Sequence, residues 1–377
     1  MSLIVDEHRD YLADHARVDA FRNALRSIVR PGDVGLDLAS GTGILGLLAC
    51  QAGAARVYAI ESGDIATVAT ALARENGCAD RITVINEHSS RATLPERVDF
   101  VVTDMAGRFG FEAGLFELMR DARRRFLKPG GRIIPRAVSL WIAPVESSDV
   151  RAHVDFWSTE HHGLTFRAAH AVATSTGYPR AFAAAELLAA GARIAGAGLD
   201  HDVVTLHGNI ETSLTRDGMM HGVAGWFSAE LADGVELTNA PGHASRINRR
   251  NVFFPLKESI AVKRGDCVSI SMAIRPESLI VRWRVKIARD GRVLHETDTS
   301  TFSGMLLSKG NVERTRPDFM PRLTEAGLAR RTVVDLCDGT RTLKDIEALV
   351  FARHRSLFAD EHEAAAFVAE VVTRYAV

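Results

Sequence analysis

A buried strand that ends in small residues and re-enters the chain as a helix leaves few architectures open, and residues 34–46 read that way. Val34-Gly35-Leu36-Asp37-Leu38 is an apolar strand, Ala39-Ser40-Gly41-Thr42-Gly43 a small-residue turn, and Ile44-Leu45-Gly46 a helix start. Glycine in such a turn lets the backbone bend tightly and lets a ligand approach the free N–H groups of the helix start. Downstream, strand-like runs (Arg56–Ile60, Ile82–Asn86, Val98–Thr103) alternate with helical ones (Ile44–Gln51, Ile65–Asn76, Leu115–Phe126). The alternation predicts a parallel sheet with covered faces.

After Pro135 the pattern changes to many short strands separated by turn residues, among them Val138–Val145, Asp202–Ile210, His221–Phe227, Cys267–Ile274, Val281–Ala288 and Arg292–Thr297. That density predicts a sandwich or barrel. The Ala-rich stretch 181–197 reads as a partly helical excursion, because alanine favours helix while its glycines do not. From about Asn311 the chain turns polar and then helical, with helices expected over Leu323–Leu336, Leu343–Arg353 and Glu361–Tyr375. Three units follow: 1–135, 136–310 and 311–377, as expected for 377 residues. A formal net charge of −1 argues against a general nucleic-acid or anionic-membrane binder, which needs surplus Lys and Arg on one face. Cys50, Cys78, Cys267 and Cys337 lie far apart with no C-x-x-C pair, so neither a metal site nor a disulfide framework is expected, and a reducing cytoplasm fits. No apolar stretch reaches the roughly 20 residues of a membrane span, so neither export nor anchoring is expected.

The glycine turn alone does not fix its ligand, since dinucleotide folds use the same device. Three acidic neighbours narrow it. Asp37 precedes the turn, where a carboxylate suits an ammonium and repels a pyrophosphate. Glu61 ends the next strand, placed to accept both hydroxyls of a ribose, and Asp104 follows the strand ending at Thr103, at the carboxyl edge where open α/β sheets bind ligands. The expected cofactor is S-adenosyl-L-methionine, with a nicotinamide or flavin ligand, or a turn without function, as the alternatives.

On these residues the chain resembles the protein arginine methyltransferases. The matching segments are His8–Arg17, Asp37, Gly41, Gly43, Glu61, Val98–Gly107, Gly131–Pro135, Gly225-Trp226-Phe227 and Ala273-Ile274-Arg275-Pro276, spread over residues 5–305. The resemblance implies an α/β + β fold: a Rossmann-like, seven-stranded methyltransferase domain followed by a β-barrel. It implies that Arg17 binds the cofactor carboxylate, that Asp37, Ala39, Ser40, Gly41, Thr42 and Gly43 hold its methionine part and that Glu61 holds its ribose. Ser89 and Ser90 fall where the adenine is expected, Ser90 replacing an acidic residue of the family.

In that family two glutamates on a hairpin grip the substrate guanidinium. Here the first place holds Asp104 and the second, slightly displaced, Glu112, in a loop one residue shorter that also carries Arg108. The family's Thr-His-Trp segment falls near Arg246-Ile247-Asn248 and is absent, as is most of the opening lid helix, with seven residues before His8. Read alone, Arg17 could be a solvated helix charge and Glu112 a solvent-facing carboxylate at a helix start; His8 reads as structural. The cofactor half thus follows the family while the acceptor half departs from it. The expectation is an N-methyltransferase acting on a side-chain nitrogen of a peptide or protein, with Asp104 and Glu112 orienting the acceptor and taking its proton. A small-molecule methyltransferase and an inactive cofactor-binding partner subunit are the alternatives.

Residues 317–375, with Leu336-Cys337-Asp338-Gly339-Thr340-Arg341-Thr342-Leu343 at their centre, resemble the helical part of the winged-helix domains related to the pyrroloquinoline-quinone biosynthesis chaperone. Thr342 is placed to cap a helix with Asp345 as partner. Domains of that kind add a leader peptide as a strand, which implies a ribosomally made natural-product precursor as substrate. A helical extension packed on the barrel, or a homodimer contact, is the plainer reading.

Overall fold

The computed structural model describes residues 4–305, 314 and 317–376. They form two compact units, one of residues 1–86 and 94–306, the other of residues 87–93 and 307–377.

The larger unit opens with two helices, α1 (Ile4–Ala13) and α2 (His15–Ile28), the second capped by the Asp14 carboxylate on the Arg17 N–H. Strands β1 (Val34–Leu38), β2 (Arg56–Glu61), β3 (Ile82–Asn86), β4 (Val98–Val102) and β5 (Leu127–Ile134) follow, with helices α3 (Ile44–Gln51), α4 (Ala66–Glu75) and α5 (Leu115–Arg125) between them. The five strands pair in parallel in the order β3-β2-β1-β4-β5. β1 is buried along its whole length, as expected of a central strand covered on both faces. The sheet holds five strands, not the seven expected. After Ile134 the chain leaves it directly for the barrel strand Ala137–Val145, which pairs with Gly218–Ala232. Because β2 and β4 flank β1 on opposite sides, the connections leaving β1 and β4 diverge and open a crevice at their carboxyl ends, the position where open α/β sheets bind ligands.

The remainder of this unit is antiparallel. One sheet runs Ala192–Gly198, Ala137–Val145, Gly218–Ala232, Asn251–Val262, Tyr178–Arg180, and the other Leu206–Ser213, Cys267–Arg275, Ile280–Arg289, Arg292–Ser300. Inward residues of the second, Ile270, Ile274, Trp283 and Val285, are fully buried, and the Trp283 indole donates to the Pro255 carbonyl of the first at 3.1 Å. These sheets make the β-barrel. Within 181–197 only Ala184–Glu186 is helical, a single 3₁₀ turn, and Ala192–Gly198 is a strand. Neighbour contact overrides alanine's preference there: Gly208 lies so close to the Ile194 carbonyl that a Cβ would sit 1.6 Å from it. Two helices, Ser148–Asp155 and Arg167–Ala173, and a two-residue hairpin between them interrupt the strands.

The smaller unit contains helices Glu325–Leu336, Leu343–Arg353 and Glu361–Tyr375, packed through Val333, Ile346, Val350, Ala364 and Val368. Thr342 and Asp345 form the reciprocal cap that the sequence suggests. Among the described residues 317–376 no strand occurs. No helix among the described residues is long and apolar enough to cross a membrane.

Gly35 gives a test of the central strand. A Cβ there would lie 2.2 Å from Cζ of the buried Phe100 on the neighbouring strand. Gly35→Ala is therefore expected to destabilise the larger unit by about 1–3 kcal/mol through overpacking. Urea denaturation with an unchanged midpoint would show that the strands are not packed this way.

Candidate cofactor and acceptor site

The turn after β1 has the backbone that its composition suggests. Gly41 and Gly43 take φ of +55° and +78°, and Ala39 takes +59°, so three of its five residues are left-handed. Gly41 also has no room for a side chain, because a Cβ would lie 2.5 Å from Cε1 of His8. His8, on α1, thus covers the turn, in keeping with its structural reading. The Thr103 hydroxyl donates to the Leu38 carbonyl at 2.7 Å and ties the end of β4 to the end of β1.

Asp37 is fully buried beneath the turn. Its Oδ2 accepts the Gly46 N–H at 2.8 Å, while Oδ1 is buried without a hydrogen-bond partner, as is the Ser40 hydroxyl. Burial pushes the Asp37 carboxyl up to about 7, against the Gly46 N–H and with help from the charge of Glu61. An orphaned carboxylate oxygen under a turn of positive φ fits a cationic donor, which the ammonium of a methionine moiety would supply. Glu61 lies at the end of β2, its two oxygens accepting the Gly41 and Gly63 N–H groups at 2.8 and 2.7 Å. Ser89 and Ser90 fall in the segment 87–93 that belongs to the smaller unit, where the Ser90 hydroxyl lies 2.8 Å from Nδ1 of His88.

Across the crevice the electrostatics reverse. Asp104 is gripped by two guanidinium groups: Nε of Arg17 bonds its Oδ2, and Arg249 places Nη2 at 3.0 Å from Oδ2 and Nη1 at 3.4 Å from Oδ1. All three side chains are nearly buried, at 10%, 8% and 14% exposure for Arg17, Asp104 and Arg249. Arg17 also donates to the Tyr11 carbonyl at 3.0 Å and lies over that ring at 4.6 Å. Burial alone would raise the Asp104 carboxyl, but Arg249 and Arg17 outweigh it and hold it below the ordinary range. Conversely, burial works against the Arg249 charge, and the attraction of Asp104 overcomes it, leaving that guanidinium more basic than usual.

Glu112 points into its own loop. Its carboxylate accepts the Phe109 N–H through both oxygens, at 3.0 and 2.8 Å, and the Phe111 N–H at 3.3 Å. Burial raises its pKa in spite of those bonds. Gly107, at φ +71°, makes room for this inward turn, since a Cβ there would lie 2.5 Å from the Glu112 Oε2. Phe109 and Phe111 anchor the loop in the core, the Phe109 ring 5.4 Å from that of Phe254.

Arg249 was not identified from the sequence. Its signal was the missing Thr-His-Trp motif, whose place is taken by the basic run Arg246-Ile247-Asn248-Arg249-Arg250. Asp104, Arg17 and Arg249 line an open cleft of about 740 Å³, with Met105, Arg108 and Asn248 on its rim.

The family described as ribosomal protein L11 methyltransferase (PrmA) matches residues 15–136. Protein arginine N-methyltransferase 6 of Xenopus tropicalis is 28% identical over 290 residues, 73% of this chain and 85% of that protein. The Danio rerio protein of the same name is 37% identical over 154 residues, 40% of this chain and 44% of its own. The solved structure of Arabidopsis thaliana protein arginine methyltransferase 10 superposes with a TM-score of 0.66 at 22% identity, covering 78% of this chain and 97% of that one. The Trypanosoma brucei PRMT1 enzyme–prozyme heterotetrameric complex with AdoHcy gives a TM-score of 0.70 at 18% identity, with the same coverage. Topology and sequence together define a class I methyltransferase that uses S-adenosyl-L-methionine. Within that class the chain is similar to the protein arginine methyltransferases and shares their fold, a Rossmann-like domain joined to a β-barrel.

The two buried carboxylates give opposite pH dependences. The folded Asp37 pKa of about 7 lies above the usual 3.8, so its contribution to stability is complete below 3.8 and lost as pH rises through about 7. The folded pKa of Asp104 is depressed, so its contribution is present above 3.8 and lost as pH falls through the folded value. Denaturation of the ligand-free protein across a pH series checks both signs. Asp37→Asn is expected to flatten the fall in stability on the alkaline side, and Asp104→Asn the fall on the acid side. Unchanged slopes in either variant contradict the corresponding burial.

Proposed function

We propose that the chain methylates a side-chain nitrogen of a peptide or protein at the cleft beside Asp104, with S-adenosyl-L-methionine as donor. The observation that carries this reading is the presence, on the neighbouring strands β1 and β4, of a buried carboxylate with an unpartnered oxygen beneath the glycine turn and, two residues past the other strand, a carboxylate held by two guanidinium groups.

Asp37 and Ser40, with the turn from Ala39 to Gly43, would hold the methionine portion, Glu61 the ribose, and Arg17, from its place beside Asp104, the carboxylate. The bound donor supplies a methyl already activated by the sulfonium, so the protein's part is to aim the nucleophile. A carboxylate offers about four lone-pair positions. Three donor contacts occupy Asp104, two on Oδ2 and one on Oδ1. That leaves Oδ1 room to orient a single acceptor N–H. Held ionised by two guanidinium groups, Asp104 is a weak base, and the acceptor's proton passes to water. Glu112 shapes the loop that carries Arg108 and Phe109 and acts through its backbone.

Protein substrates are named for the arginine N-methyltransferase relatives. For this chain the smaller unit, whose described residues include three helices around their own core, favours a peptide that carries a recognition segment, as a ribosomally made precursor does. A homodimer in the cytoplasm is the assembly and setting we assign.

The test is transfer of labelled methyl from S-adenosyl-L-methionine to peptides displaying asparagine, glutamine, histidine, lysine or arginine, each with and without a leader segment. We expect transfer to at least one, reduced about 100-fold or more in Asp104→Asn, where an amide replaces the orienting anion. Arg17→Ala is expected to weaken cofactor binding by about tenfold or more, the loss of one charge-assisted pair. Label found only on oxygen, or cofactor affinity untouched by Arg17→Ala, would defeat the assignment.

A further inference from the structure

We propose that Arg249 sets the acceptor class: its guanidinium fills the place at Asp104 that a substrate guanidinium would need, so the group methylated is an uncharged nitrogen, a carboxamide or neutral imidazole, and arginine is excluded. The inference rests on the reading of this cleft as the methyl-transfer site.

Arg249 approaches Asp104 as a bound arginine would, one η nitrogen to each carboxylate oxygen, with Nη1 also 3.3 Å from the Gly107 carbonyl and the guanidinium carbon 6.0 Å from the Phe227 ring centre. The segment that carries it is fixed on both sides. Asn248 donates its N–H to the Asp14 carboxylate at 2.7 Å, and the Arg250 carbonyl accepts from the buried Asn239 amide at 3.0 Å. The Arg249 N–H itself bonds the Ile247 carbonyl at 2.8 Å.

A free arginine side chain would compete with a guanidinium already attached to the site. A tethered group has an effective concentration in the millimolar range or above, so the external group loses unless its other contacts are strong. Entering beside Arg249 is no easier, because Arg17 already stands on the far side and a third cation would face two others at short range. The remaining acidic groups of the cleft give little relief. Glu7 bonds the Tyr11 hydroxyl, Asp10 bonds Arg9, and Asp14 is held by the main-chain N–H groups of Arg17 and Asn248. Glu112, the second acid of the loop, is spent on its backbone. A protonated amine meets the same repulsion.

An uncharged nitrogen escapes it. One N–H donates to the free position on Asp104 Oδ1, and the guanidinium of Arg249 stays in place. In the transfer the N–CH₃ bond forms as the donor's S–CH₃ bond breaks, the electron pair of that bond remains on sulfur, and the N–H proton leaves to water.

The experiment uses the full chain loaded with S-adenosylhomocysteine and titrated with ethylguanidinium as probe, followed by calorimetry. The unaltered chain is expected to show no saturable uptake. Arg249→Ala and Arg249→Gln are expected to bind the probe about tenfold or more tightly than the parent. Arg249→Lys should stay blind, because an ammonium maintains the charge at Asp104. In labelled transfer, the parent should modify asparagine or histidine peptides and spare arginine, and Arg249→Ala should gain arginine methylation. Folding of each variant is read from the rise in melting temperature that S-adenosylhomocysteine produces. Probe binding by the parent as tight as by Arg249→Ala, arginine methylation by the parent, or folded Ala and Gln variants that gain no probe affinity would each overturn the assignment of Arg249. Absence of S-adenosylhomocysteine binding by the parent would instead remove the underlying methyl-transfer reading.

Discussion

The arrangement of the cleft depends on one carboxylate shared by two guanidinium groups. Asp104 comes from the end of β4, Arg17 from the first turn of α2, and Arg249 from a loop of the barrel, so their contact fixes three parts of the chain that local structure leaves independent. Removing three charges from water is expensive, and Coulombic attraction offsets that cost only where geometry and hydrogen bonding are good. Here each guanidinium has a second acceptor, the Tyr11 carbonyl for Arg17 and the Gly107 carbonyl for Arg249. Such a triad is a poor device for stability alone, because apolar residues of the same volume would do as well. Its worth lies in position: one anion held at a fixed point of the cleft.

On the neighbouring strand β1 the electrostatics are the reverse. Asp37 is buried with one N–H partner and an orphaned oxygen, and burial favours its protonated form. Among the described residues no cation bonds Asp37, whereas two guanidinium groups bond Asp104. The same residue type serves two ends because its neighbours differ, a main-chain amide on one side and two arginines on the other.

What the sequence made legible follows from the range over which each signal acts. The strand–turn–helix at 34–46 and the alternation after it are local, and β1, α3 and β3 fall where hydrophobic periodicity places them. The Thr342–Asp345 cap is equally local. The strand at Ala192–Gly198 was masked because alanine and glycine carry little side-chain signal, and its state is set by the sheet it joins. The five-stranded sheet differs from the expected seven because the end of a sheet is a property of topology, with no residue type to mark it. At the site, a carboxylate's position is readable from its strand and its partners are not. Asp104 was placed by β4, yet the guanidinium that completes it stands 145 residues later. Glu112 could be read only as an acid in a loop, since the inward turn of its side chain depends on the bare Cα of Gly107.

The barrel explains why that distant arginine is where it is. Asn239 is fully buried and spans two loops: its amide donates to the Arg108 carbonyl at 2.8 Å and to the Arg250 carbonyl at 3.0 Å, while its oxygen accepts the Phe227 N–H at 2.9 Å. Asn251, also fully buried, donates to the Asn239 carbonyl at 2.7 Å and accepts from Phe182 and Arg246. These side chains satisfy main-chain groups that would otherwise be buried without partners, which costs more than most single contacts return. Their consequence is geometric. The loop after β4 and the loop bearing Arg249 are joined through one amide, so a shift of either carries the other with it. The surroundings of Asp104 are therefore a property of the barrel as much as of the sheet.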